Sequence, residues 1–154
     1  MLRAEFLENA AVLHICGHGP LDMDELFALL DDWNRTTLPE TPEVRGLFMD
    51  LSLAELSRLT GPEMRRFIIR RLASERGTMV PTAILVSGLE GISAIRHYAV
   101  LADVSKLRDE DSLHATDSRD DAVAWLAARM GAEDEQPVVS DLADACKRCA
   151  RLYG

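Results

Sequence analysis

Histidine and cysteine, two of the side chains that bind zinc best, alternate near the start of this sequence. His14, Cys16 and His18 stand at every second position, so a strand through them would point all three to one face. Imidazole and thiolate groups are good zinc ligands, but a structural zinc site needs four of them. Gly17 and Gly19 are expected to end the strand before His18. The aligned pair is then His14 and Cys16, which would need ligands from elsewhere in the chain.

The two other cysteines lie near the end of the chain, where Cys146 and Cys149 bracket a C-K-R-C motif. C-x-x-C supports thioredoxin-type chemistry when it begins a helix, because the helix dipole lowers the thiol pKa. Here the pair is predicted in the middle of a helix, where buried cysteines behave as small hydrophobic side chains. An odd cysteine count does not favour a disulfide framework. A metal or redox protein using His14, Cys16, Cys146 and Cys149 is therefore the third hypothesis, and the favoured interpretation assigns no metal and no cofactor.

Sequence signatures of catalysis are missing from the chain. There is no G-x-S-x-G nucleophile motif, no P-loop and no G-x-G-x-x-G dinucleotide motif. Asp22 and Asp24 sit at a predicted helix start, where the helix dipole accounts for them. We therefore predict no catalytic residues and no enzymatic activity.

Length and charge limit the classes of partner. The 154 residues carry a net charge of −9, which predicts one domain with a surface that repels nucleic-acid phosphates. The nearest basic cluster is a set of arginines expected on a solvated helix: Arg65, Arg66, Arg70, Arg71 and Arg76. No apolar run approaches the roughly 20 residues that span a bilayer, and no signal pattern opens the chain. We expect a cytoplasmic protein without an integral membrane segment and without a nucleic-acid partner.

The first half of the chain predicts a hairpin, a helix, a strand and a second helix. Residues 3–7 and 11–16 form the hairpin, and Asp22 with Glu25 has the spacing of a capping box. A buried strand at 46–49 ends at Asp50 and leads into a polar loop. Thr60 and Glu63 repeat the capping-box spacing and open the second helix. That helix is expected to bury Leu72 and to end at Gly77, and residues 36–42 are expected to form a loop before the buried strand.

The second half alternates strands and helices. A strand at 79–86 precedes a helix at 89–102, and a short exposed strand is predicted at 112–116. Ser118 and Asp121 cap a fourth helix, residues 131–137 form an acidic linker, and Ser140 begins a final helix to about residue 152. Alternating strands and helices predict an α/β fold with a mainly parallel sheet.

This order of landmarks resembles the STAS superfamily, in its SpoIIAA-like branch of small stand-alone bacterial proteins. The matching segments are Gly46 to Ser52 (GLFMDLS), Thr82 to Val86 (TAILV), Gly91 to Tyr98 (GISAIRHY) and Asp121 to Leu126 (DAVAWL). The resemblance implies an α/β domain over residues 1–130, with a sheet of four to five strands and helices mostly on one face. Residues 131–154 lie outside the resemblance and are expected to add an acidic linker and a helix packed on the domain or on the partner of a homodimer.

The resemblance also implies a regulatory role without catalysis. Anti-sigma-factor antagonists of this family bind a protein partner, a kinase or an anti-sigma factor, and are switched by phosphorylation at a helix start. Leu59 stands where the phosphorylated serine would be. The implied partner loop therefore uses the residues around it: Asp50, Ser52, Ser57, Thr60 and Gly61.

An alternative follows from the similarity of SpoIIAA-like proteins to lipid-binding CRAL-TRIO domains. It implies a carrier or sensor of a lipid or another apolar small molecule, bound in a groove between helices and sheet. Ile92, His97 and Tyr98, on the third helix, would border that groove.

Overall fold

The computed structural model describes residues 1–35, 43–74, 79–131 and 134–153, and they form an α/β fold. The strands are β1 (Leu2–Leu7), β2 (Val12–Pro20), β3 (Gly46–Glu55), β4 (Thr82–Leu85) and β5 (Leu113–Thr116). The helices are α1 (Met23–Arg35), α2 (Gly61–Ser74), α3 (Gly88–Val104), α4 (Arg119–Arg129) and α5 (Gln136–Tyr153). A single 3₁₀ turn, Glu110–Ser112, precedes β5.

The five strands form one sheet in the order β1-β2-β3-β4-β5. β1 is antiparallel to β2, and the other neighbours are parallel. The predicted mixed, mainly parallel sheet with an antiparallel hairpin at one edge is confirmed. Crossovers between neighbouring parallel strands are right-handed, so the three connecting helices α1, α2 and α3 all lie on the same face.

The sheet is covered on both faces, since alternate strand residues belong to two separate apolar clusters. Beneath α1–α3 the cluster includes Leu13, Ile15, Met49, Leu51, Ile84, Phe67 and Ile95. Beneath α4 and α5 it includes Leu7, Val12, Phe48, Ala83, Leu85, Leu126 and Leu142. The final helix packs on the domain itself, through one apolar stripe that faces α4 and β2.

Polar caps define where several helices begin. The Thr60 hydroxyl accepts a hydrogen bond from the Glu63 amide at 3.4 Å, and the Ser118 hydroxyl accepts one from the Asp121 amide at 3.3 Å. α5 begins at Gln136, four residues before the predicted cap Ser140, because the Asp134 carboxylate accepts from the Gln136 amide at 3.0 Å. Pro137 then falls in the first helical turn, where a missing amide hydrogen costs nothing.

Both central strands run further than predicted. β2 passes Gly17 and Gly19 and continues to Pro20, with a register shift between Cys16 and His18. β3 likewise continues to Glu55, because residues 53–55 pair with this extension of β2. The prediction that Asp50 ends the strand is wrong. Asp50 and Ser52 lie within β3 rather than in a loop.

Two further expectations differ from the structure. β5 lies at the sheet edge but is not exposed, because α3 and α4 cover it, and Leu113, Ala115 and Thr116 are buried. Leu72 in α2, expected in the core, is 37% exposed. The predicted loop at 36–42 and the predicted end of α2 at Gly77 lie outside the described residues.

Across the described ranges, none of the helices is both long and apolar enough to cross a lipid bilayer.

The packing of α5 gives a stability test. Leu142 is fully buried beneath the sheet, so Leu142→Ala should lower the free energy of unfolding by about 2–5 kcal/mol through lost burial and a residual cavity. The matched control is Leu152, which lies on the same helix but is 54% exposed. Leu152→Ala should change the free energy of unfolding by less than about 0.5 kcal/mol. Urea denaturation followed by circular dichroism measures both. Equal effects at the two positions would show that α5 does not pack as described.

Candidate functional site

A cavity of about 410 Å³ lies between the sheet and helices α1, α2 and α3. Its walls are largely apolar side chains from β2, β3, β4 and the three helices, including Leu13, Leu26, Leu47, Met49, Phe67 and Ile84. Small-molecule sites are typically apolar cavities of roughly 300–1,000 Å³ with a few polar groups that orient the ligand. The volume and the lining therefore fit a small-molecule site.

Helices α1 and α2 form the outer wall of this cavity and are joined by charged side chains. The Asp24 carboxylate accepts hydrogen bonds from Arg66 at 3.0 Å and from Arg70 at 2.6 Å. The Arg70 guanidinium also lies 4.0 Å from the centre of the Phe27 ring, a favourable cation–π distance. These arginines thus fix one helix against the other, a role that the sequence prediction of a solvated face did not include.

Polar side chains interrupt the largely apolar lining of the cavity, and Arg71, Tyr98 and Arg108 are the ones that act on one another electrostatically. Arg71 Nη1 is buried and has no hydrogen-bond partner among the described residues. Burial lowers the pKa of Arg71 and of Arg108. Burial also raises the pKa of the Tyr98 phenol, and the positive charges of Arg108 and Arg71 oppose that increase. The cavity therefore holds two guanidinium groups near a phenol, while the carboxylates of Asp31, which acts on Arg71, and of Glu43, which lines the cavity, offset part of their charge.

Arg108 is held by the protein, in contrast to Arg71. Its Nη2 donates to the Val80 carbonyl at 2.8 Å and to the Thr82 hydroxyl at 3.0 Å, and its Nε donates to the Ser112 hydroxyl at 2.9 Å. These bonds join the chain before β5 to the start of β4. Arg108 thus contributes a fixed positive charge, and Arg71 contributes a free hydrogen-bond donor.

A second group of side chains that can bind metals or undergo redox chemistry lies on the opposite face of the sheet, beneath α5. Cys16 of β2 and Cys149 of α5 form a disulfide across 133 residues, with a Cα–Cα distance of 6.0 Å. Ligand atoms of His14, Asp50 and Cys146 lie within 4.8 Å of one another beside it, and all three residues are buried. The expectation that the cysteines form no disulfide is wrong, because α5 packs directly over β2.

Burial controls the chemistry of this second group. It lowers the pKa of His14, so the imidazole is neutral at pH 7. It raises the pKa of the Cys146 thiol to about 11, with a smaller contribution from Asp50. The Asp50 carboxylate accepts hydrogen bonds from the Ser52 hydroxyl at 2.6 Å and the Ser52 amide at 3.2 Å. Without a cation, the group therefore holds a protonated thiol and a neutral imidazole.

Two contacts in the C-terminal third of α5 help to hold the helix over these residues. His18 stacks on Tyr153 with ring centres 4.5 Å apart, which places His18 on the same side of the sheet as His14 and Cys16. Arg148 donates to Glu5 of β1 at 2.8 Å. The helix is thus attached to both strands of the hairpin.

No protein-family model, curated protein or solved structure matches this chain.

The three residues predicted to border a ligand groove lie in different environments. Tyr98 lines the cavity, Ile92 packs against the apolar cluster beside it, and His97 is exposed. Sequence reasoning missed Arg71 and Arg108 as cavity residues. Arg71 follows the buried Phe67 by four positions, and that helical spacing was the available signal.

The residues predicted for a partner loop do not form one surface. Ser57 and Thr60 are exposed in the loop before α2, and Gly61 is the first residue of that helix. Asp50 is only 2% exposed and lies beneath α5. Leu59, at the position of the phosphorylated serine in the resembling proteins, is buried in the core.

The disulfide gives a direct chemical test. Without reductant, the unfolded chain should show one reactive thiol, Cys146, whereas reduction should expose all three cysteines. In the native protein Cys146 should resist alkylation near pH 8, and reaction should increase only towards its pKa of about 11, because the thiolate is the nucleophile. Thiol titration and non-reducing peptide mapping measure these outcomes. A Cys146–Cys149 linkage in place of Cys16–Cys149 would contradict the structure.

Proposed function

We propose that the protein binds a small apolar molecule with an anionic head group and serves as its carrier or sensor, without catalysing a reaction. The observation that supports this most is the Arg71 Nη1 atom, which is buried at a largely apolar cavity without a hydrogen-bond partner among the described residues. A buried charged donor without an acceptor is costly, and an anionic oxygen supplied by a ligand would remove that cost.

The chemistry of the three polar groups favours a carboxylate or a similar planar oxyanion. A guanidinium group presents a rigid set of N–H donors that matches two carboxylate oxygens at once. The fixed charge of Arg108 and the Tyr98 hydroxyl add to the attraction at the same end of the cavity. Glu43 also lines the cavity but is exposed, so water screens its charge.

The volume favours a ligand with a single chain or a single ring system. At about 410 Å³, the cavity is in the lower part of the range for small-molecule sites. The apolar walls would contact the hydrocarbon part of the ligand, while α1 and α2 would cover it. A two-chain phospholipid fits this volume less well than a fatty acid or a comparable monoanion.

The regulatory module implied by the STAS resemblance remains a second proposal. What supports it is the exposure of Thr60 at the start of α2, with its hydroxyl in a weak 3.4 Å cap. Phosphate at a helix N-terminus interacts favourably with the helix dipole. α2 also supplies Phe67 and Arg71 to the cavity, so binding of a ligand and of a partner protein would involve the same helix.

The head-group hypothesis predicts different behaviour for a fatty acid and its alcohol. Arg71→Gln should weaken dodecanoate binding about 10- to 100-fold, the value of one or two charge-assisted hydrogen bonds, and should leave dodecanol binding unchanged. Isothermal titration calorimetry with the purified full chain measures both affinities. Arg65→Gln on the exposed side of the same helix is the matched control and should bind both ligands as the wild type does.

A second variant tests the location of the ligand. Leu47 lines the cavity, so Leu47→Phe should reduce its volume and weaken dodecanoate and dodecanol together. If neither ligand binds the wild type, or if Arg71→Gln and Arg65→Gln behave alike, the proposed site is wrong. Circular dichroism of each variant checks that the fold is retained.

A further inference from the structure

The buried group beneath α5 contains a polar atom that the fold leaves without a partner. His14 is 2% exposed, and its Nε2 has no hydrogen-bond partner among the described residues. Buried polar atoms are nearly always paired. Ligand atoms of Asp50 and Cys146 lie within 4.8 Å of a ring nitrogen of His14 and of each other, so the His14 imidazole lies beside two further groups that bind metals.

The disulfide joins the strand that carries His14 to the helix that carries Cys146. Cys16 follows His14 by two positions on the same face of β2 and pairs directly with Asp50 of β3. Cys149 follows Cys146 by one helical turn in α5, and both are buried. The strand therefore contributes an H-x-C pair and the helix a C-x-x-C pair, and the bond between Cys16 and Cys149 shows that the two pairs meet.

We propose that His14, Cys16, Cys146 and Cys149 form a zinc site when the Cys16–Cys149 disulfide is reduced. Asp50 is its neighbouring carboxylate, which binds the metal with His14 and Cys146 while the disulfide is closed. This site lies on the opposite face of the sheet from the cavity and does not depend on the proposed ligand.

The ligand set selects the metal. Three thiolates and one imidazole match the tetrahedral structural sites of Zn²⁺, whereas Ca²⁺ and Mg²⁺ require oxygen ligands. Bonds of about 2.0–2.3 Å to tetrahedral zinc place ligand atoms roughly 3.3–3.8 Å apart. The ligand atoms of His14, Asp50 and Cys146 now lie within 4.8 Å of one another. On metal binding their separations would shorten by about 1 Å, which rotation of the side chains can supply.

Two arginines offset the negative charge of such a site. Arg119, the first residue of α4, acts on the Cys146 sulfur through its positive charge. Arg148 of α5 acts on His14 through its charge and also pairs with Glu5. Zinc with three thiolates has a net charge of −1, so these cations would stabilise the loaded site and its carboxylate neighbour.

Reduction and zinc binding are chemically linked. Opening the disulfide adds two electrons and two protons to the S–S bond and gives two thiols, with a dithiol or a phosphine as the reductant. Zinc then displaces the protons of the coordinating thiols. A sulfur in the disulfide is not available as a thiolate ligand, so disulfide formation should lower zinc affinity and bound zinc should slow disulfide formation.

Cobalt titration of the full-length chain tests the site, because Co²⁺ reports the identity and geometry of its ligands. The metal-free chain, reduced with tris(2-carboxyethyl)phosphine, should bind one Co²⁺ with a thiolate-to-cobalt charge-transfer band and the strong d–d absorption of tetrahedral coordination. Zn²⁺ should displace the cobalt with sub-micromolar affinity. The chain purified without reductant should bind at least 100-fold more weakly, because two of its four ligands remain bonded to each other.

Single substitutions locate the site. Cys146→Ser preserves the size of the side chain and the disulfide, and should lower Zn²⁺ affinity of the reduced chain at least 100-fold and weaken the charge-transfer band. His14→Asn should lower zinc affinity similarly. Its matched control, His97→Asn, changes an exposed histidine of α3 and should bind zinc as the wild type does.

Several results would overturn the proposal. They are a reduced wild-type chain without the charge-transfer band, equal zinc affinities in the oxidised and reduced chains, or a Cys146→Ser chain that binds like the wild type. Far-ultraviolet circular dichroism shows whether each variant is folded. If a variant does not fold, the comparison of reduced and oxidised wild type alone decides.

Discussion

The two-sided burial of the central strands is the constraint on which the rest of this structure depends. Parallel strands joined by crossover helices need cover on both faces, and the three crossovers supply it on one face only. α4 and α5 cover the other face, and the disulfide and the Arg148–Glu5 pair hold α5 there. Because α5 lies over β2 and β3, side chains that would otherwise meet water, His14 and Asp50 among them, become buried.

The two faces differ in how completely they are filled. Beneath α5 the space holds polar and sulfur-containing side chains at close range, whereas α1–α3 enclose a cavity with two arginines at its edge. β3 separates the two regions and contributes to both, since Met49 lines the cavity and the adjacent Asp50 points to the disulfide side. Neighbouring residues of one strand thus belong to two chemically distinct environments, which lets the proposed ligand site and the proposed metal site be tested separately.

The sequence predicted the order of elements and the caps of several helices, because these depend on local patterns. It did not predict what depends on distant segments. Cys16 and Cys149 are 133 residues apart, and nothing near either one indicates the other. The pattern around Gly17 predicts a strand end, but the structure places Gly17 within β2, where an added Cβ would lie 2.9 Å from side-chain carbons of Leu2 and Leu51. Its small size allows this close packing. Arg71 lines a cavity that exists only because α1, α2 and α3 pack on the sheet, so local sequence does not indicate its position.

The strands lie in the sheet in the same order as they occur along the chain. This order affects how the sheet can assemble while the ribosome makes the chain from its N-terminus. Each new strand can join the growing edge of the sheet as it leaves the ribosome, without inserting between strands already paired. Domains generally fold as units during synthesis, yet α5 is the last described element to emerge. A nascent chain would therefore expose Cys16 and the apolar residues on this face of its sheet until α5 leaves the ribosome and packs over β2.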